Sequence, residues 1–298
     1  MKLIKRKAPE SGLMAKTNPP IKPYLKWAGG KRQLLSEIKK CFPRGIDNYT
    51  YYEPFIGAGA VFFSLRPKRA VINDFNTQLI LTYTVIKKHV EELITLLKTY
   101  KNEKENYYAV RNLDRDPEKF NKLTNTEKAA RLIFLNKTCF NGLYRVNSRG
   151  AFNVPYGRYK NPVICEEMVL RNISHYLNDN EITILNNDFE YAVLSADKNS
   201  FVYFDPPYHS PDKTNFTGYL AAGFGAEEQR RLRDLMITLT TRGVKCLLSS
   251  SDTEYIRRLY DCDFFDIVSV RAKRSINADS AGRGKVNEVL IKNWKDKA

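Results

Sequence analysis

Residues 201–208 read Phe201-Val202-Tyr203-Phe204-Asp205-Pro206-Pro207-Tyr208: four apolar or aromatic residues running into an acid, two prolines and a tyrosine. A short apolar run that stops at a turn signal predicts a compact strand. In open α/β sheets ligands bind beyond the carboxyl ends of the strands, where Asp205 and Tyr208 would then stand. Two prolines restrict φ and stiffen the loop. The Asp205 carboxylate and the Pro206 carbonyl can both accept N–H bonds from an exocyclic amino group such as N6 of adenine. That favours a pyramidal nitrogen with its lone pair available, and preorganised acceptors are the effective kind. Tyr208 offers a ring on which a base can stack. Asp-Pro also marks ordinary turns, so Asp-Pro-Pro alone also fits a strand end and a rigid turn; the aromatic after it, behind an all-apolar strand, favours methyl transfer.

Outward from this segment, Ile182 to Leu185, Val244 to Leu248 and Val286 to Ile291 also read as strands, and Ala226 to Thr240 as a helix. On the N-terminal side, Lys31 to Lys40 reads as a helix with Leu34, Leu35 and Ile38 on one face. Tyr49 to Pro54 is strand-like, Gly57 and Gly59 mark a turn, Ala60 to Leu65 continues as a helix, and Ala70 to Ile72 is a strand ending at Asn73 and Asp74. Strand, turn, helix, strand is a βαβ unit and implies parallel pairing. The predicted fold is α/β: a Rossmann-like, mixed, mostly parallel sheet with helices on both faces.

Between the two halves, Leu79, Ile80, Tyr83, Ile86, Val90, Leu93, Ile94 and Leu97 recur at helical spacing, and Thr126 and Glu127 could open a helix through Leu135. From Arg131 to Lys160 there are six basic residues and no acidic one, interleaved with Phe140, Tyr144, Phe152, Tyr156 and Tyr159. Arginine can pair with the major-groove edge of guanine and aromatic or apolar side chains can enter a base stack; a solvated basic loop is the alternative. The predicted organisation is a mobile basic arm over 1–20, a catalytic domain from 21–76 and 171–298, and a mainly helical insertion over 77–170 carrying a hairpin loop.

Two further motifs flank the site. In Glu53-Pro54-Phe55-Ile56-Gly57-Ala58-Gly59 two glycines let the backbone approach a ligand closely, although Phe62 breaks the full GxGxxG pattern. Asp74 ends the next strand, where it could bond ribose hydroxyls or simply serve the turn. Lys26-Trp27-Ala28-Gly29-Gly30-Lys31 is not a P-loop; Trp27 could pack on an aromatic ring or sit in the core. Arg271 to Lys285 carries five basic residues against Asp279 and is expected to meet phosphates.

Composition narrows the partners. The 298 residues carry 49 Lys and Arg against 33 Asp and Glu, a formal charge of +16. Such a field attracts polyanions, either nucleic acid or an anionic membrane. No window approaches the roughly 18 apolar residues of a membrane span, and the basic start has no apolar run behind it, so neither a span nor a secretory signal is expected. Five scattered cysteines and three distant histidines predict free thiols and no metal site.

Taken together, these motifs resemble the Dam family of DNA adenine-N6 methyltransferases, of the α group, and within it the streptococcal GATC-modifying branch. The resemblance spans about Tyr24 to Asn293. It is most specific in Asn141-Gly142-Leu143-Tyr144-Arg145 and Phe152-Asn153-Val154-Pro155-Tyr156-Gly157-Arg158-Tyr159. It implies S-adenosyl-L-methionine as cofactor, bound by Trp27, Lys31, Asp74 and Asp205, with Phe55, Gly57 and Gly59 beneath it and Asp188 and Phe189 lining its adenine pocket. It implies that Asp205, Pro206 and Tyr208 hold a flipped adenine for in-line methyl transfer. It also implies that Lys26, Phe140, Asn141, Leu143, Arg145, Pro155 and Tyr159 meet DNA, Arg145 reading a guanine of GATC, so that 77–170 is the target-recognition insertion.

The expected partner is double-stranded DNA, with no membrane and no metal. A restriction endonuclease could act on the same site without direct contact. A monomer in a bacterial, or phage-infected, cytoplasm is expected. Residues 1–20 find no counterpart in the family, and 209–223 are variable, so no role is assigned there. Two rivals remain: an RNA or protein-glutamine methyltransferase, which would favour asparagine at position 205 and lack the basic insertion, and a catalytically dead DNA-binding regulator, which would show damage at the cofactor or acceptor residues.

Overall fold

Seven strands form one sheet among the residues described by the computed structural model, which are 21–27, 29–208, 224–273 and 285–295. They are β1 (Thr50–Glu53), β2 (Arg69–Asn73), β3 (Glu181–Leu185), β4 (Ser200–Phe204), β5 (Lys245–Ser251), β6 (Asp266–Lys273) and β7 (Lys285–Lys292), in the order β3-β2-β1-β4-β5-β7-β6. The first five pair in parallel; β7 runs antiparallel between β5 and β6. This is the mixed, mostly parallel α/β sheet that the sequence predicts. The expected basic arm, the stretch 209–223, Ala28 and the centre of the basic segment, 274–284, lie outside the described residues.

Alternation along the strands builds two apolar layers. Tyr51, Phe201, Tyr203, Leu247 and Leu290 face one of them, while Tyr52, Val202, Phe204, Cys246, Leu248 and Val289 face the other. A strand's side chains point alternately to its two faces, so both faces of this sheet need covering. One is covered from α1 (Leu35–Lys40), α2 (Ala60–Leu65), α3 (Thr77–Lys88), α4 (Val90–Thr99), α5 (Lys104–Asn112), α7 (Asn125–Thr138) and α8 (Glu167–Asp179). The other is covered from α9 (Phe189–Ala192), α10 (Ala226–Thr241) and α11 (Glu254–Leu259). A short α6 (Pro117–Lys122) completes the set between α5 and α7.

Several local expectations change. The single periodic run from Leu79 to Leu97 is two helices, broken at His89, which ends α3 and begins α4 with φ −137° and ψ 38°. The helix expected from Thr126 starts earlier: Thr124 accepts a bond from Glu127 N, and the Glu127 side chain answers to Thr124 N, a reciprocal capping box. The polar stretch before it folds as α5 and α6, and α8 runs across the boundary expected after residue 170. The helix read over Lys31 to Lys40 opens as a 3-10 turn, Lys31–Gln33, before α1. That tight turn directs Lys31 inward.

Candidate active site

β1 and β4 are parallel neighbours, so their carboxyl ends release Glu53 and Asp205 side by side. Lys31, 5% exposed, reaches the same place from its 3-10 turn. Its ammonium lies 2.7 Å from Asp205 Oδ1, donates to Gly29 O at 2.7 Å and sits 4.6 Å from the centre of the Tyr208 ring. The Tyr208 hydroxyl donates to Glu288 Oε2 on β7 at 2.5 Å. Burial pushes the Asp205 carboxyl up to about 6; Lys31 opposes that rise and the charge of Glu288 adds to it. Beneath them Glu53, 2% exposed, accepts a bond from Tyr51 OH at 2.6 Å, and burial holds it well above the usual carboxylate range.

The glycine loop lies beside this cluster. Gly57 has φ +50°, and a Cβ there would fall 2.9 Å from Trp27 Cδ1. Glycine alone adopts that backbone freely and leaves room for the indole. Asp74 braces the loop: its carboxylate accepts Gly57 N at 3.0 Å and Asn76 N at 2.9 Å. These are the contacts of a turn residue, the alternative left open by the sequence. Burial nevertheless raises Asp74 to about 6 against those two bonds. Trp27 stacks on Tyr144, centres 5.1 Å apart and planes 25° apart, so it packs on a ring rather than entering the core alone.

A second aromatic pair borders the loop. Phe55 stacks on Phe189 with centres 5.4 Å apart. Asp188 accepts the Glu190 N–H at 3.0 Å and pairs with Arg231 at 3.1 Å, while Arg231 lies over the Phe189 ring. The buried Asn73 ties these loops together, donating to Pro54 O and Asn187 O and accepting from Asn187 N.

The basic-aromatic segment joins the site through Asn136. This buried amide accepts Lys26 N and donates to Lys26 O and Gly142 O, all within 2.9 Å. Beyond it, antiparallel bridges Cys139–Tyr156 and Val146–Phe152 close a hairpin-like loop. Arg145 is exposed, with Nε donating to Asn153 Oδ1 at 2.7 Å. Phe140 and Pro155 are exposed, Leu143 and Asn141 partly buried, and the Lys26 ammonium lies 5.1 Å from the Tyr159 ring. Two of the six counted basic residues do not face solvent. Arg131, 1% exposed, pairs with Asp114 at 2.7 Å, and Lys137 pairs with Glu166 at 2.8 Å. Tyr144 and Phe152 are likewise buried in the core and Tyr156 packs against it, so three of the five interleaved aromatics pack inward. Among the described residues no group of three or more His, Cys, Asp or Glu is placed to hold a metal ion.

A family model described as D12 class N6 adenine-specific DNA methyltransferase matches residues 27–276. The chain belongs to that family. This methyltransferase is 45% identical over 285 residues to a type II methyltransferase of Lactococcus lactis subsp. cremoris, covering 95% of this chain and 99% of the relative. It is 43% identical over 297 residues to a type II methyltransferase of Methanocaldococcus jannaschii (92% and 99% covered), and 37% identical over 277 residues to a DNA adenine methylase of Haemophilus influenzae (90% and 92%). It is therefore an enzyme that methylates adenine N6 in DNA, as the family resemblance implied. No helix among its described residues is long and apolar enough to cross a membrane.

Around this methyltransferase's site, sequence reading missed Glu288, Asn73, Asn136, Arg231 and Asp114. The signals were faint: Asn73 and Asn136 each directly follow an apolar run, and a polar group buried there needs bonding partners. Glu288 gave no signal, because its partner is 80 residues away.

Proposed function

We propose that this methyltransferase takes its methyl group from S-adenosylmethionine and places it on adenine N6 within GATC of double-stranded DNA, on a base rotated out of the helix. The observation that supports this best is the Lys31–Asp205–Tyr208 cluster at the carboxyl ends of β1 and β4. The residues fit the donor. A Cβ at Gly57 would close the cradle against Trp27, the Lys31 ammonium suits a carboxylate, and Phe55 with Phe189 offers an apolar wall to an aromatic ring. Trp27, Lys31, Phe55, Gly57, Gly59, Asp74, Asp188, Phe189 and Asp205 would hold it. When bound, it supplies an electrophilic methyl group on a sulfonium sulfur.

The chain's own residues do the rest. An adenine N6 inside a duplex is out of reach, so the base must leave the stack. Tyr208 presents a ring for it. Asp205 and the Pro206 carbonyl accept the two N6 hydrogens; because Lys31 engages Oδ1, Oδ2 is the oxygen for the amino group. Those bonds draw the nitrogen lone pair out of conjugation, and the prolines fix the acceptors beforehand. Segment 77–170 serves as the target-recognition unit: Arg145 reads guanine, and Lys26, Phe140, Asn141, Leu143, Pro155 and Tyr159 meet the surrounding DNA. The +16 charge supplies a salt-sensitive attraction to phosphates.

The test is tritiated-methyl transfer to a duplex bearing GATC. Asp205→Ala should abolish transfer while circular dichroism shows an intact fold, and normal turnover by that variant would end the reading. Transfer to a duplex with a scrambled site should fall sharply, and equal transfer would remove GATC.

A further inference from the structure

A stacking residue works only if its ring is held flat and in one place, and Tyr208 lies beyond the end of β4, after two prolines. On the N-terminal side the loop is well secured: Pro206 and Pro207 restrict it, and Gln229 Nε2 donates to Pro207 O at 3.4 Å. The ring itself is secured from elsewhere. Its hydroxyl donates to Glu288 Oε2, and its face meets the Lys31 ammonium.

Glu288 sits well for this task. It lies on β7, which is locked on both sides: Glu288 pairs with Ser251 of β5 and with Val270 of β6. Its neighbours Val289, Leu290 and Ile291 are fully buried. A carboxylate on an interior, doubly paired strand is a fixed point, unlike one on a loop. A charged acceptor also makes the stronger kind of hydrogen bond.

We infer that Glu288 is a positioning residue for adenine: it grips the Tyr208 hydroxyl and sets the angle at which the ring meets the extruded base. Glu288 touches neither the base nor the methyl donor; it acts through Tyr208. The inference rests on the proposed role of Tyr208 as the stacking partner.

The experiment uses the full-length enzyme and two duplexes: one bearing GATC with its adenines intact for the kinetic measurements, and one carrying 2-aminopurine at the target adenine, whose fluorescence rises when the base leaves the stack. Glu288→Ala, Glu288→Gln, Tyr208→Phe and the double variant Glu288→Ala with Tyr208→Phe are compared in four measurements: kcat, KM for DNA, the Kd of the methyl donor and fluorescence gain. Loss of a hydrogen bond to a charged group corresponds to a loss of about tenfold or more. Glu288→Ala should therefore lower kcat about tenfold and blunt the fluorescence gain, with donor Kd unchanged. Tyr208→Phe, which keeps the ring and loses the hydroxyl, should do the same, and the double variant should lose no more than either single one. Glu288→Gln, whose amide oxygen still accepts, should retain most of the activity.

Additive losses in the double variant, or wild-type kcat and fluorescence in Glu288→Ala, would overturn the inference. Tyr208→Ala separates the two claims. If it loses methyl transfer while the Glu288 variants do not, the positioning role alone fails. If it methylates normally, the stacking role of Tyr208 fails with it.

Discussion

The Lys31 ammonium lies 2.7 Å from Asp205 Oδ1, and the two meet where two strands and the glycine loop converge. Lys31 lowers the Asp205 pKa against a burial effect that raises it. In Lys31→Met the carboxyl keeps its burial and loses its cation, so its pKa climbs above about 6. Removing one partner of a buried pair costs about 3 kcal/mol or more when the other stays charged. The loss should therefore be larger at pH 8, where wild-type Asp205 is ionised, than at pH 5, where it is protonated. Urea denaturation at both values checks this, and equal losses would argue against the pairing.

The same carboxyl sets an expectation for rate against pH. Its pKa is raised to about 6, so the ionised, accepting form appears only as pH climbs through that value. kcat/KM should rise through about pH 6 and then level. Because Asp74 shares a raised value of about 6, the assignment needs a variant. Asp205→Asn should keep weak activity through its amide oxygen and lose the rising limb. A limb that persists unchanged would assign it to Asp74 or another group.

The glycine loop offers a third check. Gly57 has φ +50° and faces Trp27. Gly57→Ala both strains the backbone, by about 1–2 kcal/mol, and pushes a methyl group against the indole. Calorimetric titration with S-adenosylmethionine should show affinity reduced at least tenfold and a modest drop in Tm. Unchanged affinity would mean that the loop does not line the cofactor site.

Asp114 is the structural clasp of the hairpin-like loop. Its Oδ2 lies 2.7 Å from both Arg131 Nη2 and Phe152 N. Asp114→Ala leaves Arg131 buried without its countercharge and should cost about 3–5 kcal/mol in urea denaturation. The double variant Asp114→Ala with Arg131→Met should recover part of that loss. No recovery would show that the Phe152 bond carries the effect.

Arg145 is exposed, bonded to Asn153 and unburdened by any acid in the segment around it. Arg145→Ala should weaken binding to GATC duplexes by about 1–3 kcal/mol and relax preference at one guanine, with little change on unrelated DNA. A uniform loss on all sequences would place Arg145 on the phosphate backbone instead.

Much of the frame was legible because it is written in blocks. β4 is a buried apolar run stopped by Asp-Pro-Pro, and β1, α2 and β2 are separated by glycine and short turns. The break at His89 carries no glycine or proline, so two helices read as one. Arg131 illustrates the limit of charge counting: as a letter it adds to a basic patch, and only the fold shows Asp114 beside it. β6 was missed, and the Tyr208–Glu288 bond with it, because long-range pairing of β7 brings Glu288 to the site.

One apolar interior runs without a break from Tyr51 and Phe201 in the sheet to Leu79, Phe134 and Phe152 in the intervening segment. Cutting out residues 77–170 would strip a greasy face from both pieces, so neither should survive alone. Under the proposed reading, an engineer who wants another target site would change only the solvent-facing positions Phe140, Arg145 and Pro155 and leave Tyr144 and Phe152, which belong to that interior, in place.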